Sequence, residues 1–354
     1  MTGAKESESG KIRKEYRNEH NSVIEKNRKF SGILLEKLDD DVLNVNRIRQ
    51  TMGATISQQH TIEEEIASHS KDDGHDTSAE AEENWHIASE YYKNIDTKAF
   101  RQYELACDRV KQFYEEQHEK QTVAYNIQAR INFKTKTRAR MSIWEGLEKL
   151  NKLLDDSDPD TELSQIDHAI QTAEAIRRDG KPRWFQLVGL IHDLGKLLYF
   201  FDSKGQWDVV GDTFPVGCKF SKRIILPDSF AKNPDFLNPL YNTKYGIYSK
   251  HCGLDKVMLS WGHDEYMYHV AKNNSTLPIE ALAMIRYHSF YPWHQEYAYS
   301  YLMDEHDKEM LKAVQAFNSY DLYSKVDQTY DIDELKPYYL ELIDEFFPNK
   351  IIDF

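Results

Sequence analysis

Five residues in the most apolar stretch of this chain carry its clearest chemical signal. They are His192-Asp193-Leu194-Gly195-Lys196, set between Leu187, Val188, Leu190 and Ile191 on one side and Leu197 and Leu198 on the other. An Asp and a Lys are rarely buried without a partner or a metal. On a helix, Lys196 lies three residues from Asp193 and four from His192, so the three rise on one side. Two readings stand at this point: a lone buried ion pair between Asp193 and Lys196, or part of a metal site. Other donors recur along the chain. His168 lies in a helix that precedes this one by a short turn, which brings two histidines within reach of one ion. Asp321 has Lys325 four residues on, and His263 and His288 each sit on an aromatic, helix-like segment. Singly, Asp321 reads as half of a surface pair and each histidine as a satisfied core residue. Together the six side chains give four nitrogens and two carboxylates, enough for a dinuclear centre with open positions. Such an imidazole-rich set suits redox-active iron, while residue type alone leaves Mn and Zn open.

Helices must hold these donors. Apolar and aromatic residues recur at helical spacing in Phe100, Tyr103, Leu105, Val110 and Phe113, and again in Trp144, Leu147, Leu150 and Leu153. Asp155-Asp156-Ser157-Asp158-Pro159 breaks the pattern with turn chemistry. The spacing predicts helices over 166–178, 184–201, 254–273, 278–289, 295–303, 308–325 and 335–347, with 205–239 irregular. Strand-like alternation is scarce, so the expected fold class is all-α.

The texture changes near residue 95. Residues 1–30 read as a solvated arm, and Leu34, Leu38, Val42, Val45, Ile48, Met52 and Ile56 form one helical stripe. That stripe docks on the main domain, pairs with a partner helix, or orders only weakly. Residues 71–84 are acidic and read as a linker. The expected division is therefore an N-terminal extension, 1–95, and a catalytic domain, 96–354.

Composition narrows the function classes. The chain has 354 residues, 40% hydrophobic and 29% charged, with a formal net charge of −14. That charge argues against general affinity for nucleic acid or anionic lipid. The three cysteines, Cys107, Cys218 and Cys252, form no C-x-x-C pair, so neither a disulfide framework nor a thiolate zinc site is expected. Residues 1–10 are polar, unlike a secretion signal, and the apolar stretch 185–201 is interrupted by His192, Asp193 and Lys196. The expectation is a soluble, cytoplasmic protein with no membrane partner.

The order H…HD…D resembles the HD-domain superfamily, whose four ligands hold one or two metal ions. Longer segments are more specific. Asp212-Thr213-Phe214-Pro215-Val216-Gly217-Cys218, His251-Cys252-Gly253-Leu254-Asp255, Ser260-Trp261-Gly262-His263-Asp264-Glu265-Tyr266 and His288-Ser289-Phe290-Tyr291-Pro292-Trp293-His294 resemble the myo-inositol oxygenase family. So do Leu194-Gly195-Lys196 and Asp155-Asp156-Ser157-Asp158-Pro159-Asp160, and the likeness runs from about residue 96 to the end. The resemblance implies an HD-domain-like helical bundle with a dinuclear metal site. It implies His168, His192, Asp193, His263, His288 and Asp321 as ligands of two iron ions per chain, a mixed-valent Fe(II)/Fe(III) pair bridged by Asp193. It implies substrate contacts at Arg101, Asp155, Asp156, Ser157, Lys196, Gly211, Asp212, His288 and Ser289, a catalytic role for Lys196 and Asp193, and Lys325 near the site. The implied partners are myo-inositol and O2, the implied product D-glucuronate, and the expected state a monomer. Asp156 stands where the family has Glu, which keeps the carboxylate and shortens its reach. The loop between Lys196 and Trp207 is one residue longer than in the family, and the Gly211 and Asp212 assignments follow from placing that insertion. His251, His269, His294 and His306 are assigned packing or supporting roles, and His118 a surface or packing one. The rival readings are a metallohydrolase built on the H…HD…D core and a degenerate scaffold acting through its N-terminal helix.

Overall fold

A computed structural model describes residues 107–158, 163–326 and 330–354, together with 85–87, 89, 92, 100, 101 and 103. By its internal contacts the chain divides into Met1–His75 and Asp76–Phe354. The expected arm, apolar stripe and acidic linker lie outside the described residues.

The second unit is a helical bundle. Its helices are α1 (Asp108–Lys120), α2 (Val123–Thr135), α3 (Ile143–Leu150), α4 (Gln165–Arg178), α5 (Arg183–Ile191), α6 (His263–Asn274), α7 (Ile279–Tyr287), the short α8 (Tyr291–His294), α9 (Glu305–Tyr323) and α10 (Ile332–Phe346). The strands found among the described residues are two-residue segments, β1 (Arg140–Met141) and β2 (Ile352–Asp353), paired antiparallel. The fold is all-α, as expected. Several helices start at side chains that accept an otherwise unpaired backbone N–H, which fixes their first turns. Ser142 and Asp304 make full capping boxes with Glu145 and Asp307, while Thr122, Ser164 and Asp331 cap α2, α4 and α10.

At the centre runs α5, whose Leu187, Val188, Leu190 and Ile191 are buried. It is surrounded by α4, α7 and α10, while α6 packs on α7 and on the segment that follows α5. The core around it joins residues from α1 to α7, α9 and α10. On the outside, α1 docks on the turn Pro227–Lys232 through His118, which is buried, stacked on Phe230 at 3.9 Å, and bonded to Ser229 at 2.6 Å. It is a packing residue.

Three helices expected from spacing differ. Residues 184–201 are not one α-helix: α5 ends at Ile191 and His192–Phe200 winds on as a 3₁₀ helix. The reason lies at Gly195, where a Cβ would come within 3.0 Å of the His263 Cα and closer still to its carbonyl. The tighter winding lets α6 press its first residue against the donors. Residues 295–303 are a turn, because Tyr297 and Tyr299 adopt left-handed backbone at φ 52° and 60°. The helix expected from 254 begins only at His263, after the extended Gly262. Gly195→Ala should therefore cost about 3 kcal/mol of stability through overpacking against backbone, read as a fall in Tm. An unchanged Tm would show that the approach of the two segments is not rigid.

Upstream of α1, the described residues lie against the bundle. Trp85 sits edge-on to Trp184 at 5.9 Å, and the Ile87 carbonyl accepts from Lys181 at 2.6 Å. Tyr92 is buried beside Tyr320 and Tyr323 of α9, at 6.1 and 6.0 Å between ring centres.

Candidate metal centre and its cavity

The six candidate donors come from several elements and meet in one place. His168 projects from the first turn of α4, His192 follows α5 as the first residue of the 3₁₀ helix with Asp193 next to it, His263 opens α6, His288 directly follows α7, and Asp321 lies near the end of α9. Two buried triads result, His168–His192–Asp193 and Asp193–His263–His288, each with ligand atoms within 4.8 Å of one another. Asp193 is common to both, and its two oxygens divide the work. Oδ2 faces His192 Nε2 at 3.5 Å and His168 Nε2 at 3.7 Å. Oδ1 faces His263 Nε2 at 3.3 Å and His288 Nε2 at 3.5 Å. Asp321 serves the first half alone, 3.1 Å from His168 Nε2 and 3.3 Å from His192 Nε2.

The imidazoles are oriented for ligation. In His192, His263 and His288, Nδ1 lies 2.8–2.9 Å from the carbonyls of Gly189, Val209 and Ile285. An Nδ1–H donated to a carbonyl leaves Nε2 as the free ligand atom. The buried Nε2 of His192 makes no well-aligned hydrogen bond, and the oxygens of Asp321 and Asp193 stand off from it at 3.3 and 3.5 Å, which is what a ring turned toward a cation would show. The residues therefore fit a metal pair, by donor type and by this orphaned nitrogen.

Charge supports the same fit. Five carboxylates (Asp155, Asp158, Asp193, Asp212 and Asp321) and three cations (Arg101, Lys196 and Lys325) line the cavity beside these donors. With the histidines neutral, as ligation requires, the negative charge is in excess and needs a positive partner. Burial would raise the Asp193 pKa, yet Lys196 and the surrounding histidines hold it well below the carboxylate range. Asp321 is likewise depressed, against burial, by His168 and His192. Lys196 bridges Asp155 and Asp193 at 2.8 Å each, and these two carboxylates raise its pKa despite burial, so it stays charged. The histidines split. Burial lowers His168, whereas Asp264 and Asp193 overcome burial and push His263 up to about 10. A cation entering the His263 half must displace a proton.

Of the expected substrate positions, Arg101, Asp155, Ser157, Lys196, Gly211, Asp212, His288 and Ser289 line this one cavity. Gly211 has φ 90°, and a Cβ there would strike Phe113. Asp155 accepts from the backbone and hydroxyl of Ser157 at 2.9 and 2.6 Å. Arg101 pairs with Asp212 at 2.6 Å and stacks over Tyr291. Asp156 is not among the lining residues: its carboxylate turns outward to the exposed Arg109, at 3.1 Å. Lys325 reaches the wall and pairs with Asp158 at 2.7 Å. Tyr291, Asp158 and Gln165 also line the cavity, and Asp264 lies buried behind it. Sequence reasoning did not single these out, although Asp158, Tyr291 and Asp264 fall inside the quoted motifs. His294 is buried, and its Nε2 lies 2.8 Å from the His288 carbonyl.

Comparison with known proteins adds a second line. Residues 107–354 match the family described as Myo-inositol oxygenase. The chain is similar to "Probable inositol oxygenase" of Oryza sativa subsp. japonica, 51% identical over 260 residues, covering 72% of this chain and 84% of that one. It is similar to "Inositol oxygenase 1" of Arabidopsis thaliana, 50% identical over 261 residues, with 72% and 84% covered. To "Inositol oxygenase" of Danio rerio it is 47% identical over 259 residues, with 72% and 93% covered.

Proposed function

Because this chain belongs to the myo-inositol oxygenase family, we propose that it opens the ring of myo-inositol with O2 to give D-glucuronate, breaking the C1–C6 bond in a four-electron oxidation. The observation that carries the proposal is Asp193, with one oxygen toward each histidine pair at the wall of a polar cavity. The six donors would hold two iron ions, His168, His192 and Asp321 on one, His263 and His288 on the other, and Asp193 between them. When bound, the mixed-valent pair supplies the redox chemistry and lowers the pKa of a coordinated hydroxyl.

The protein's part is recognition and field. A polyol has no charge, so it must be held by directional hydrogen bonds. Asp155, Ser157, Asp212 and Ser289 supply acceptors and hydroxyls, and the left-handed Gly211 lets the backbone approach. Lys196 brings a fixed ammonium to the wall beside Asp193, where it favours a substrate hydroxyl that gives up its proton. Tyr291 and Arg101 form an aromatic and cationic flank that limits water.

The test is metal analysis with electron paramagnetic resonance on chain isolated without air, with and without myo-inositol, alongside O2 uptake. Two irons per chain, a spin-coupled signal changed by the polyol, and O2 consumption are expected. Phosphate release from nucleotides without O2 uptake would turn the reading to HD-type hydrolysis.

We place the reaction in the cytosol, consistent with three unpaired cysteines, and expect a monomer on sedimentation. No helix of the described residues is long and apolar enough to cross a membrane. The catalytic unit reaches upstream to Trp85, and the extension before it is an addition to the activity. A chain starting at residue 85 should keep its turnover. One starting at residue 96 loses the Trp85 and Tyr92 contacts and should be less stable by about 3 kcal/mol. Equal melting temperatures for the two would place the start of the unit after Tyr92.

A further inference from the structure

Three turns far apart in sequence build one wall of the cavity: Gly211–Thr213, His263–Asp264 and His288–Ser289. The Asp264 carboxylate touches all three. Its Oδ1 lies 2.7 Å from His263 Nε2 and 3.1 Å from the Ser289 hydroxyl, with His288 Nε2 at 3.7 Å. Its Oδ2 accepts from the Thr213 hydroxyl at 3.0 Å and from the Ser289 backbone N–H at 3.2 Å. The Thr213 N–H, in turn, donates to the Ser289 carbonyl at 2.9 Å. Asp264 is 1% exposed, so water does not share these bonds. It also stands in the first turn of α6, where the helix dipole favours a negative side chain.

Three donors converge on this carboxylate, the Thr213 hydroxyl, the Ser289 hydroxyl and the Ser289 N–H, and the His263 ring lies against its Oδ1. An amide has one acceptor oxygen, so its NH2 would stand where a carboxylate oxygen accepts, facing the Ser289 N–H on one side or the Ser289 hydroxyl on the other. The charge is placed with equal purpose. The His168–His192 half has a carboxylate of its own in Asp321, while the His263–His288 half otherwise shares only Asp193.

We infer that Asp264 is a positioning residue, pinning the turns that carry Asp212, His263, His288 and Ser289 so that the second metal position and the polyol contacts stay in register. It acts through Ser289, Thr213 and His263 rather than on substrate. The inference rests on the metal and polyol reading above, and deepens it.

The test uses full-length chain isolated without air with iron supplied, comparing wild type with Asp264→Asn, Asp264→Ala and Thr213→Val. Read out are iron per chain, the spin-coupled signal, KM and kcat for myo-inositol, and helical content as a check of folding. Asp264→Asn should fold, keep about one iron instead of two, and raise KM about tenfold or more, the scale of a hydrogen bond to a charged group. Thr213→Val removes one donor only; it should keep both irons and raise KM a few-fold. Should Asp264→Ala or even Asp264→Asn fail to fold, Thr213→Val still decides, because an unchanged KM there overturns the inference. Wild type with two irons beside Asp264→Asn with two irons and an unchanged KM also overturns it, leaving the reading of the site intact. Wild type that holds no iron and ignores myo-inositol overturns both.

Discussion

Asp193→Ala should leave a folded chain that holds no metal pair and turns over no substrate. The geometry makes this the most damaging single change in the site. Each Asp193 oxygen serves a different histidine pair, at 3.3–3.7 Å from the four Nε2 atoms. Its loss thus removes an anionic donor from both halves at once. Loss of a supporting partner behind a ligand already costs about 10- to 100-fold in metal affinity, and a shared direct donor costs more. The remaining field compounds the effect. Lys196 stays charged through Asp155 at 2.8 Å, so a buried ammonium would face the imidazoles with less negative charge between them. The same pairing protects the fold, since Lys196 is not left without a counter-charge. Iron per chain, measured on protein isolated without air, checks this. An Asp193→Ala chain that still carries two irons would refute the bridge.

Lys196→Ala should do the opposite to metal and nearly the same to turnover. Without the ammonium, Asp155 and Asp193 are two buried carboxylates that have lost their main partner. A cation bound beside them gains attraction, so iron should remain. Turnover should fall by about a hundredfold or more, the scale seen when a preorganised group that stabilises developing charge is removed from a dry site. The competing effect is loss of packing from the lysine stem. Lys196→Met separates the two, because it keeps the stem and removes the charge. Should Lys196→Met turn over at the wild-type rate, the lysine would be a structural strut and no more.

The first half of this site was open to reading in the sequence because it is local. His192, Asp193 and Lys196 stand within one turn amid leucines, and buried charge in such a place calls for a cation. His168, one short turn upstream, follows from antiparallel neighbours. His263, His288 and Asp321 are individually mute, since an isolated histidine on an aromatic helix looks like any core residue; they gain meaning only as a sum with the local set, which multi-residue likeness to a family then strengthens. Asp264 stayed hidden for a physical reason. Its role depends on three loops brought together by the bundle, and no spacing along one element encodes that. Asp156 shows the reverse. Its place beside Asp155 and Ser157 argues for the cavity, but its carboxylate turns to Arg109. The helices expected at 184–201 and 295–303 failed where close approach at Gly195 and left-handed tyrosines override spacing.

The winding after Ile191 has a further consequence for anyone who would move this centre to another scaffold. A 3₁₀ turn advances each side chain by about 120°, so positions three apart eclipse one another. Asp193 and Lys196 are such a pair, in contact at 2.8 Å. On an ideal α-helix the same two positions stand about 60° apart around the axis, a gap that a lysine stem can span, as the i,i+3 pair of Glu305 and Lys308 on α9 does at 2.7 Å. A designer who wants the ammonium directly above the carboxylate must therefore copy the pitch along with the letters.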